Sequence, residues 1–220
     1  MFNVSDIREY FKNELEGEYF TIDKTGQKTI ELLGASFLAD EPSIFGAPNQ
    51  DYIDAEIKWY ESQSTNINDI EYGNGPPAAW KYTANKYGEI ISNYGHIVFS
   101  KKYHEQYKMA LLELMRNPDS RRAQMIYNRP SIWREFDENG KNDFICTNAQ
   151  TVYIRDGKLH MVSQMRSNDV VFGYKNDYAW AQYLMDKFAK DLNVEKGDLH
   201  WQVMNLHVYE RHFDLVRHLS

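Results

Sequence analysis

Helical and strand periods alternate along the chain. Ile7, Tyr10, Phe11 and Leu15 fall on one helical face, with Ser5 placed to cap the helix that carries them. Asp23-Lys24-Thr25-Gly26 reads as a turn. Residues 29–38 read as a strand interrupted by Gly34, where a bulge is expected. Ile53, Ile57 and Tyr60 predict a helix over residues 51–63, and Gly75-Pro76-Pro77 marks 64–79 as a loop. A third helix is predicted over residues 103–116, stopping before Pro118. The second half is richer in strands: 123–127, 144–155 and 158–166, the last two flanking Asp156-Gly157, a strong hairpin signal. An apolar helix over 177–192 follows. Leu199, Trp201 and Val203 then alternate as in a strand, and a short helix closes the chain after Tyr209. With no repeat, no low-complexity tract and no long linker, residues 1–220 read as one α+β domain.

Composition narrows the class. Charged residues make up 26% of the 220 positions, which excludes a membrane-embedded chain, and no apolar run approaches the roughly 20 residues of a membrane helix. The charged N-terminus is unlike a signal peptide. The net charge of −7 argues against binding along a nucleic-acid backbone, but leaves room for a local basic pocket that holds one phosphate. Cys146 is the only cysteine, so no intrachain disulfide can form, which suits a reducing cytoplasm. None of the seven histidines falls in HExxH or another ligand spacing, and no metal is expected.

Individually, the candidate chemical groups are modest. Counting outward from an Asp156-Gly157 turn without a bulge places Cys146 opposite Ser167, beside Arg166; a nearby guanidinium favours the nucleophilic thiolate. The bland counterpart is a buried structural cysteine. Arg121 and Arg122 follow a helix stop and suit phosphate oxygens, though a solvated surface pair looks the same in sequence. Lys24 in its glycine-containing turn reads both ways too. Glu56 lies one helical turn from Trp59 and Tyr60. There a carboxyl near an apolar face can serve as general acid or base, or simply face solvent. Asp177 opens the long helix, where capping is its ordinary role. His207 and Tyr209 share one strand face.

Their order is more telling. Pro118-Asp119-Ser120-Arg121-Arg122, Cys146, Asp156-Gly157-Lys158-Leu159, Arg166-Ser167-Asn168-Asp169-Val170 and His207-Val208-Tyr209 together resemble the thymidylate synthase superfamily. Glu56-Ile57-Lys58-Trp59, Ser64-Thr65-Asn66-Ile67 and Tyr94-Gly95 resemble its upstream segments, so the likeness runs from about Thr21 to His212. Within it, Asp23–Gly26, Gly34–Phe37, Ala39–Pro42, Asn93–Gly95, Cys146-Thr147-Asn148 and Arg166–Gly173 followed by Asn176–Trp180 are similar to the deoxycytidylate hydroxymethylase branch found in T-even bacteriophages. Ile145-Cys146-Thr147 departs from the Pro-Cys-His of the synthases, and Asp177 stands where they carry an Asn that reads the base.

The resemblance implies an α+β fold with a mixed sheet at a homodimer interface. It implies a cytoplasmic enzyme, in the host cytoplasm if phage-encoded, that acts on dCMP with methylenetetrahydrofolate and needs no nucleic acid or membrane. It assigns Cys146 to attack C6 of the pyrimidine, Glu56 to proton handling and water, and Asp177 to the cytosine edge and its N3 proton. Lys24, Arg166 and Ser167, with Arg121 and Arg122 from a partner subunit, would hold the phosphate. His207 and Tyr209 would hold the deoxyribose hydroxyl. Asn168 and Tyr94 would stand with the nucleotide, and Trp80 and Asp169 with the folate. The alternatives are a dCMP or dUMP methyltransferase with hydride transfer from the folate, and a degenerate nucleotide- or RNA-binding relative.

Overall fold

The computed structural model describes residues 1–22, 26–73 and 75–218. In chain order its elements are β1 (Phe2–Asn3), α1 (Val4–Glu16), β2 (Thr21–Ile22), β3 (Lys28–Leu38), α2 (Gln50–Ser62), α3 (Ala78–Thr83), α4 (Tyr94–Phe99), α5 (Gln106–Arg116), β4 (Gln124–Ile126), α6 (Ile132–Glu135), β5 (Thr147–Arg155), β6 (Lys158–Asp169), α7 (Gly173–Leu192), β7 (Glu195–Tyr209) and α8 (Phe213–His218). Met1–Pro48 and Arg155–Ser220 form one compact unit, and Asn49–Ile154 forms another.

The first unit is built on a mixed sheet in the order β1-β3-β7-β6, with β2 added to β3. β1 and β3 run parallel, β3 and β7 antiparallel, and β7 and β6 parallel. α1 packs against β3, and α7 against β6 and β7. Val4, Ile7, Phe11 and Leu15 of α1 and Trp180, Leu184, Met185 and Phe188 of α7 are buried. Each such side chain removed from water contributes about 1.5–3 kcal/mol. Tyr174 joins helix to sheet, its ring 6.0 Å from Phe37 and edge-on to Trp201 at 5.3 Å. Arg8 fixes the segment after β3, gripping Glu41 with both terminal nitrogens (2.9 and 2.6 Å) and donating from Nε to the Ile44 carbonyl (2.7 Å).

Three neighbouring strands reverse their buried face at one level. On β3, Ile30 is buried before Gly34, but Ala35 and Phe37 after it. On β7 the buried set changes from Leu199, Trp201 and Val203 to Leu206 and Val208, and on β6 from Met161 and Met165 to Asn168, followed just past the strand by Val170. The register runs Leu33↔Asn205 then Ala35↔Val203, and Met165↔Val203 then Ser167↔Asn205. Gly34, Met204 and Arg166 therefore stand abreast. Gly34 has φ +70°, a conformation a glycine adopts without steric cost.

The second unit packs α2 against α4. Tyr60 stacks on Tyr94 with ring centroids 5.4 Å apart, and Tyr127 meets Tyr94 edge-on at 5.1 Å. β4 and β5 pair antiparallel, Met125 opposite Gln150.

Several elements depart from their predicted bounds for identifiable reasons. Asn3, not Ser5, caps α1, in a reciprocal capping box with Asp6. The predicted third helix starts only at Gln106, because His104 and Glu105 take left-handed φ values of 65° and 48°. α3 and α4 were not predicted; each has six residues, too few to display a helical period. β7 extends far beyond the predicted Leu199–Val203 alternation because the pattern changes phase at Met204. Asp156 and Gly157 form the expected tight turn, both at positive φ (51° and 74°). Of the turn at Asp23–Gly26, residues 23–25 lie outside those described.

Gly95 lies where α2 and α4 approach most closely: a Cβ there would fall 1.8 Å from the Tyr60 carbonyl oxygen. Gly95→Ala is expected to destabilise the protein by about 1–3 kcal/mol, since the obstacle is backbone and cannot rotate away. Chemical denaturation measures this, and an unchanged midpoint would contradict the close approach.

Candidate active site

In the unit Asn49–Ile154, Glu56 occupies the buried face of α2, 6% exposed. Tyr52, one turn earlier, donates its hydroxyl to Glu56 Oε1. The Trp80 indole N–H, from α3, reaches the same oxygen at 2.9 Å and the Tyr52 hydroxyl at 2.9 Å. Trp59 closes the group, edge-on to Trp80 at 5.0 Å. Burial pushes the Glu56 carboxyl above the ordinary glutamate range, and the Tyr52 and Trp80 hydrogen bonds oppose the shift. The result is a carboxyl that keeps its proton to higher pH than an exposed one and whose rotation is fixed.

Cys146 is half-buried and immediately precedes β5. Its Sγ points toward the Phe144 carbonyl at 3.9 Å. Polar anchors lie on both sides of it in sequence. Asp143, 3% exposed, accepts from the backbone N–H groups of Ile91 (2.7 Å) and Ser92 (2.9 Å) and from the Ser92 hydroxyl (2.7 Å). Thr147 donates to the Tyr94 hydroxyl at 2.9 Å. Tyr94 thus reaches the neighbour of Cys146 through its hydroxyl and the aromatic core through its ring. Asn93 caps α4 and donates to the Trp59 and Ser64 carbonyls (3.1 and 2.8 Å).

In the other unit a cavity of about 320 Å³ is lined by Thr21, Thr29, Glu31, Arg166, Ser167, Asn205, His207 and Tyr209. Its polar wall follows from the reversal of the sheet: beyond Met204, Asn205, His207 and Tyr209 share the face of β7 that carries no core residue. Asn205 donates to Glu31 at 2.8 Å. The His207 and Tyr209 rings meet edge-on at 4.9 Å, and the Arg211 guanidinium lies 4.3 Å from the Tyr209 ring centre. Of the residues expected to contact the nucleotide, Arg166, Ser167, His207 and Tyr209 are therefore together.

Asp177 is not a helix cap. α7 starts at Gly173, so Asp177 stands one turn inside it, and its Oδ2 accepts from Asn168 Nδ2 at 2.8 Å. Asn168 is buried, and its Oδ1 accepts from the Trp201 indole at 3.3 Å. Asp169 Oδ1 accepts from the backbone N–H groups of Val171 and Phe172, both at 2.7 Å, shaping the entry to α7. Its Oδ2 lies 3.9 Å from His212 Nδ1. Arg121 is exposed between α5 and β4, and Arg122 pairs with Glu113 at 3.0 Å on the surface. Lys24 lies outside the described residues.

Sequence reasoning did not single out Tyr52, Asp143, Glu31 or Asn205. Two carried a periodic signal: Tyr52 precedes Glu56 by four residues on a helix, and Asn205 precedes His207 by two on a strand. Asp143 and Glu31 reach their partners through tertiary pairing alone.

Residues 17–219 match the thymidylate synthase family. The deoxycytidylate 5-hydroxymethyltransferases of Enterobacteria phages T4 and T2 are each 49% identical to this chain over 222 residues, spanning 98% of it and 89% of their own length. A thymidylate synthase of Corynebacterium aurimucosum is 27% identical over 205 residues, 89% of this chain and 74% of its own. The crystal structure of thymidylate synthase from T4 phage shares the fold, with a TM-score of 0.76 over 94% of this chain and 77% of that one, at 23% identity.

Removing the Tyr52 hydroxyl takes from Glu56 a donor that favours its charged form. Tyr52→Phe is therefore expected to move the Glu56 titration to higher pH, read by carbon NMR of labelled glutamate. A shift to lower pH would mean that the hydroxyl does not stabilise the carboxylate.

Proposed function

The chain belongs to the thymidylate synthase family, and on that premise we propose that it transfers a one-carbon unit from methylenetetrahydrofolate to C5 of deoxycytidylate, giving 5-hydroxymethyl-dCMP and tetrahydrofolate. The observation that carries this reading is the near-full-length relationship to the phage deoxycytidylate 5-hydroxymethyltransferases. Cys146 adds through its sulfur to C6 and makes C5 nucleophilic. C5 then bonds to the folate's methylene carbon. Loss of the C5 proton and departure of tetrahydrofolate leave an exocyclic methylene. Water adds to that carbon, and expulsion of the Cys146 thiolate restores the ring. Glu56 positions the water and exchanges protons, a role that suits a buried carboxyl with a raised pKa.

Cytosine presents an N4–H donor beside the N3 acceptor. Asp177 accepts from N4 and shares a proton with N3, which draws electrons from C6 and favours thiolate attack. The Asn168 bond fixes the carboxyl for this contact. Arg166 and Ser167 line a cavity whose size and polarity suit a phosphate with its sugar, and His207 and Tyr209 take the deoxyribose hydroxyl. Lys24 is assigned to the same phosphate. Trp80 offers its ring face to the folate's pterin while its N–H is held by Glu56. Asp169, shaped by the turn into α7, is the polar contact on that side. Residues 1–220 act as one catalytic domain in this reading.

The assembly is a homodimer in which Arg121 and Arg122 of the partner subunit complete the phosphate site. Two features support it. The sheet face opposite α1 and α7 carries the exposed Leu33 (71%) and Met204 (52%), an apolar surface that a second copy would cover. Arg121 projects at the surface, where it can reach another chain. No helix among the described residues is long and apolar enough to cross a membrane. The proposed place of action is the cytoplasm of a phage-infected cell, without nucleic acid.

With dCMP and methylenetetrahydrofolate, the expected nucleotide product is one carbon, two hydrogens and one oxygen heavier than dCMP by mass spectrometry. A product heavier by one CH₂ would identify a methyltransferase instead. Cys146→Ser is expected to lower turnover by about 10⁴-fold or more while dCMP still binds, because the hydroxyl is a far weaker nucleophile. Turnover within tenfold of the parent would remove Cys146 from the mechanism.

Asp177→Asn is expected to cost dCMP about 1–3 kcal/mol in binding and more in turnover, and to improve dUMP, whose O4 and N3–H match an amide. The ratio of kcat/KM for the two nucleotides decides this, and an unaltered ratio would sink the cytosine assignment.

A further inference from the structure

The end of the sheet where β6 begins carries a side-chain group that the proposed reaction does not use. His160 on β6, with Asp198 and His200 on β7, brings three ligand-type atoms within 4.8 Å of one another. Asp198 and His200 are two residues apart on one strand and project to the same face. His160 joins them through a bulge. Leu159 pairs with Lys196 but Met161 with Leu199, so His160 alone faces both Gly197 and Asp198. A bulge of this kind re-aims a side chain. The His160 ring lies over Gly197, where a Cβ would stand 2.5 Å from Cε1 and 2.8 Å from Nδ1. Glycine at 197 makes room for the imidazole.

The ring's hydrogen bonding also points a lone pair the right way. The Asp198 backbone N–H donates to His160 Nδ1 at 3.0 Å, so a neutral ring carries its hydrogen on Nε2 and keeps the Nδ1 lone pair on the Asp198 side. Asp198 Oδ2 lies 3.6 Å from the same nitrogen. Two ligand atoms at about 2.0–2.1 Å from a tetrahedral zinc stand about 3.3–3.4 Å apart. This pair therefore needs to close by only a few tenths of an ångström, with the ion replacing the backbone N–H at Nδ1. His200, half-buried beside them, supplies the third ligand by side-chain rotation. Two imidazoles and a carboxylate suit zinc, and a set of three leaves one position for water.

We propose that His160, Asp198 and His200 bind a zinc ion that clasps β6 to β7 across the bulge. Equilibrium dialysis of the full chain against zinc chloride tests it. The expected result is one zinc per chain, retained in Cys146→Ser, with affinity reduced about tenfold or more in His160→Ala, Asp198→Asn and Gly197→Ala. Gly197→Ala removes no ligand and only displaces the His160 ring. Zinc is also expected to raise the melting temperature of the parent and not of His160→Ala. Circular dichroism and dCMP binding verify that each variant is folded. No bound zinc in the parent, or unchanged affinity in folded His160→Ala and Asp198→Asn, would overturn the proposal.

Discussion

Reversal of the buried face at Gly34, Met204 and Arg166 is the constraint on which the cavity at this end of the sheet depends. A strand that alternates strictly shows one face to the core from end to end. Here three adjacent strands change phase at the same level, and the pairing continues on both sides of it. Core residues occupy one set of positions below that level and the other set above. Asn205, His207 and Tyr209 thereby share a wall with Ser167 and Glu31. The change is feasible where one strand offers a residue without a side chain, and Gly34 takes the left-handed φ required there.

The Glu56 carboxyl, to which the proposed function gives the proton-handling role, is governed by a balance of opposing effects. Desolvation favours the neutral acid, while a phenol and an indole pointed at one oxygen favour the anion. A fully apolar pocket would hold the proton too firmly for exchange, and an open one would release it too easily. Asp143 illustrates the same tension in a supporting position. Burial raises its pKa, while three donors hold the carboxylate in place three residues before Cys146.

Much of this was legible in the chain, and the illegible parts have physical causes. β3 and α2 were legible to within a residue: α2 has one continuous apolar face, and in β3 the phase change falls on Gly34, a residue the pattern already marks as a bulge. β7 was read short because its alternation changes phase, so a single-period template stops at Met204. Asp177 was placed at a helix start because the apolar pattern begins there, while the first turn of α7 is built from Gly173, Tyr174 and Lys175. The order of short motifs singled out Cys146, Glu56 and, of the cavity wall, Arg166, Ser167, His207 and Tyr209 as candidates. It could not reveal Tyr52 as Glu56's partner or Asp143 as a tether. The His160–Asp198–His200 group eluded spacing rules altogether. Its members lie on two strands, and a register slip brings the first to the others.

If Asp177 reads the base as proposed, the link from Trp201 through Asn168 to Asp177 has a consequence for how base preference can evolve. An amide can usually turn over and exchange its donor for its acceptor. Asn168 is held from behind by the indole N–H of a fully buried tryptophan, which demands the carbonyl oxygen, so the amino group must face position 177. Any residue there is met by a donor and must answer with an oxygen. An asparagine at 177 would thus be turned with its own amino group on the side away from Asn168. One nucleotide substitution converts an aspartate codon into an asparagine codon. The core tryptophan has already settled the orientation of either outcome, so a lineage can move between them in a single mutational step.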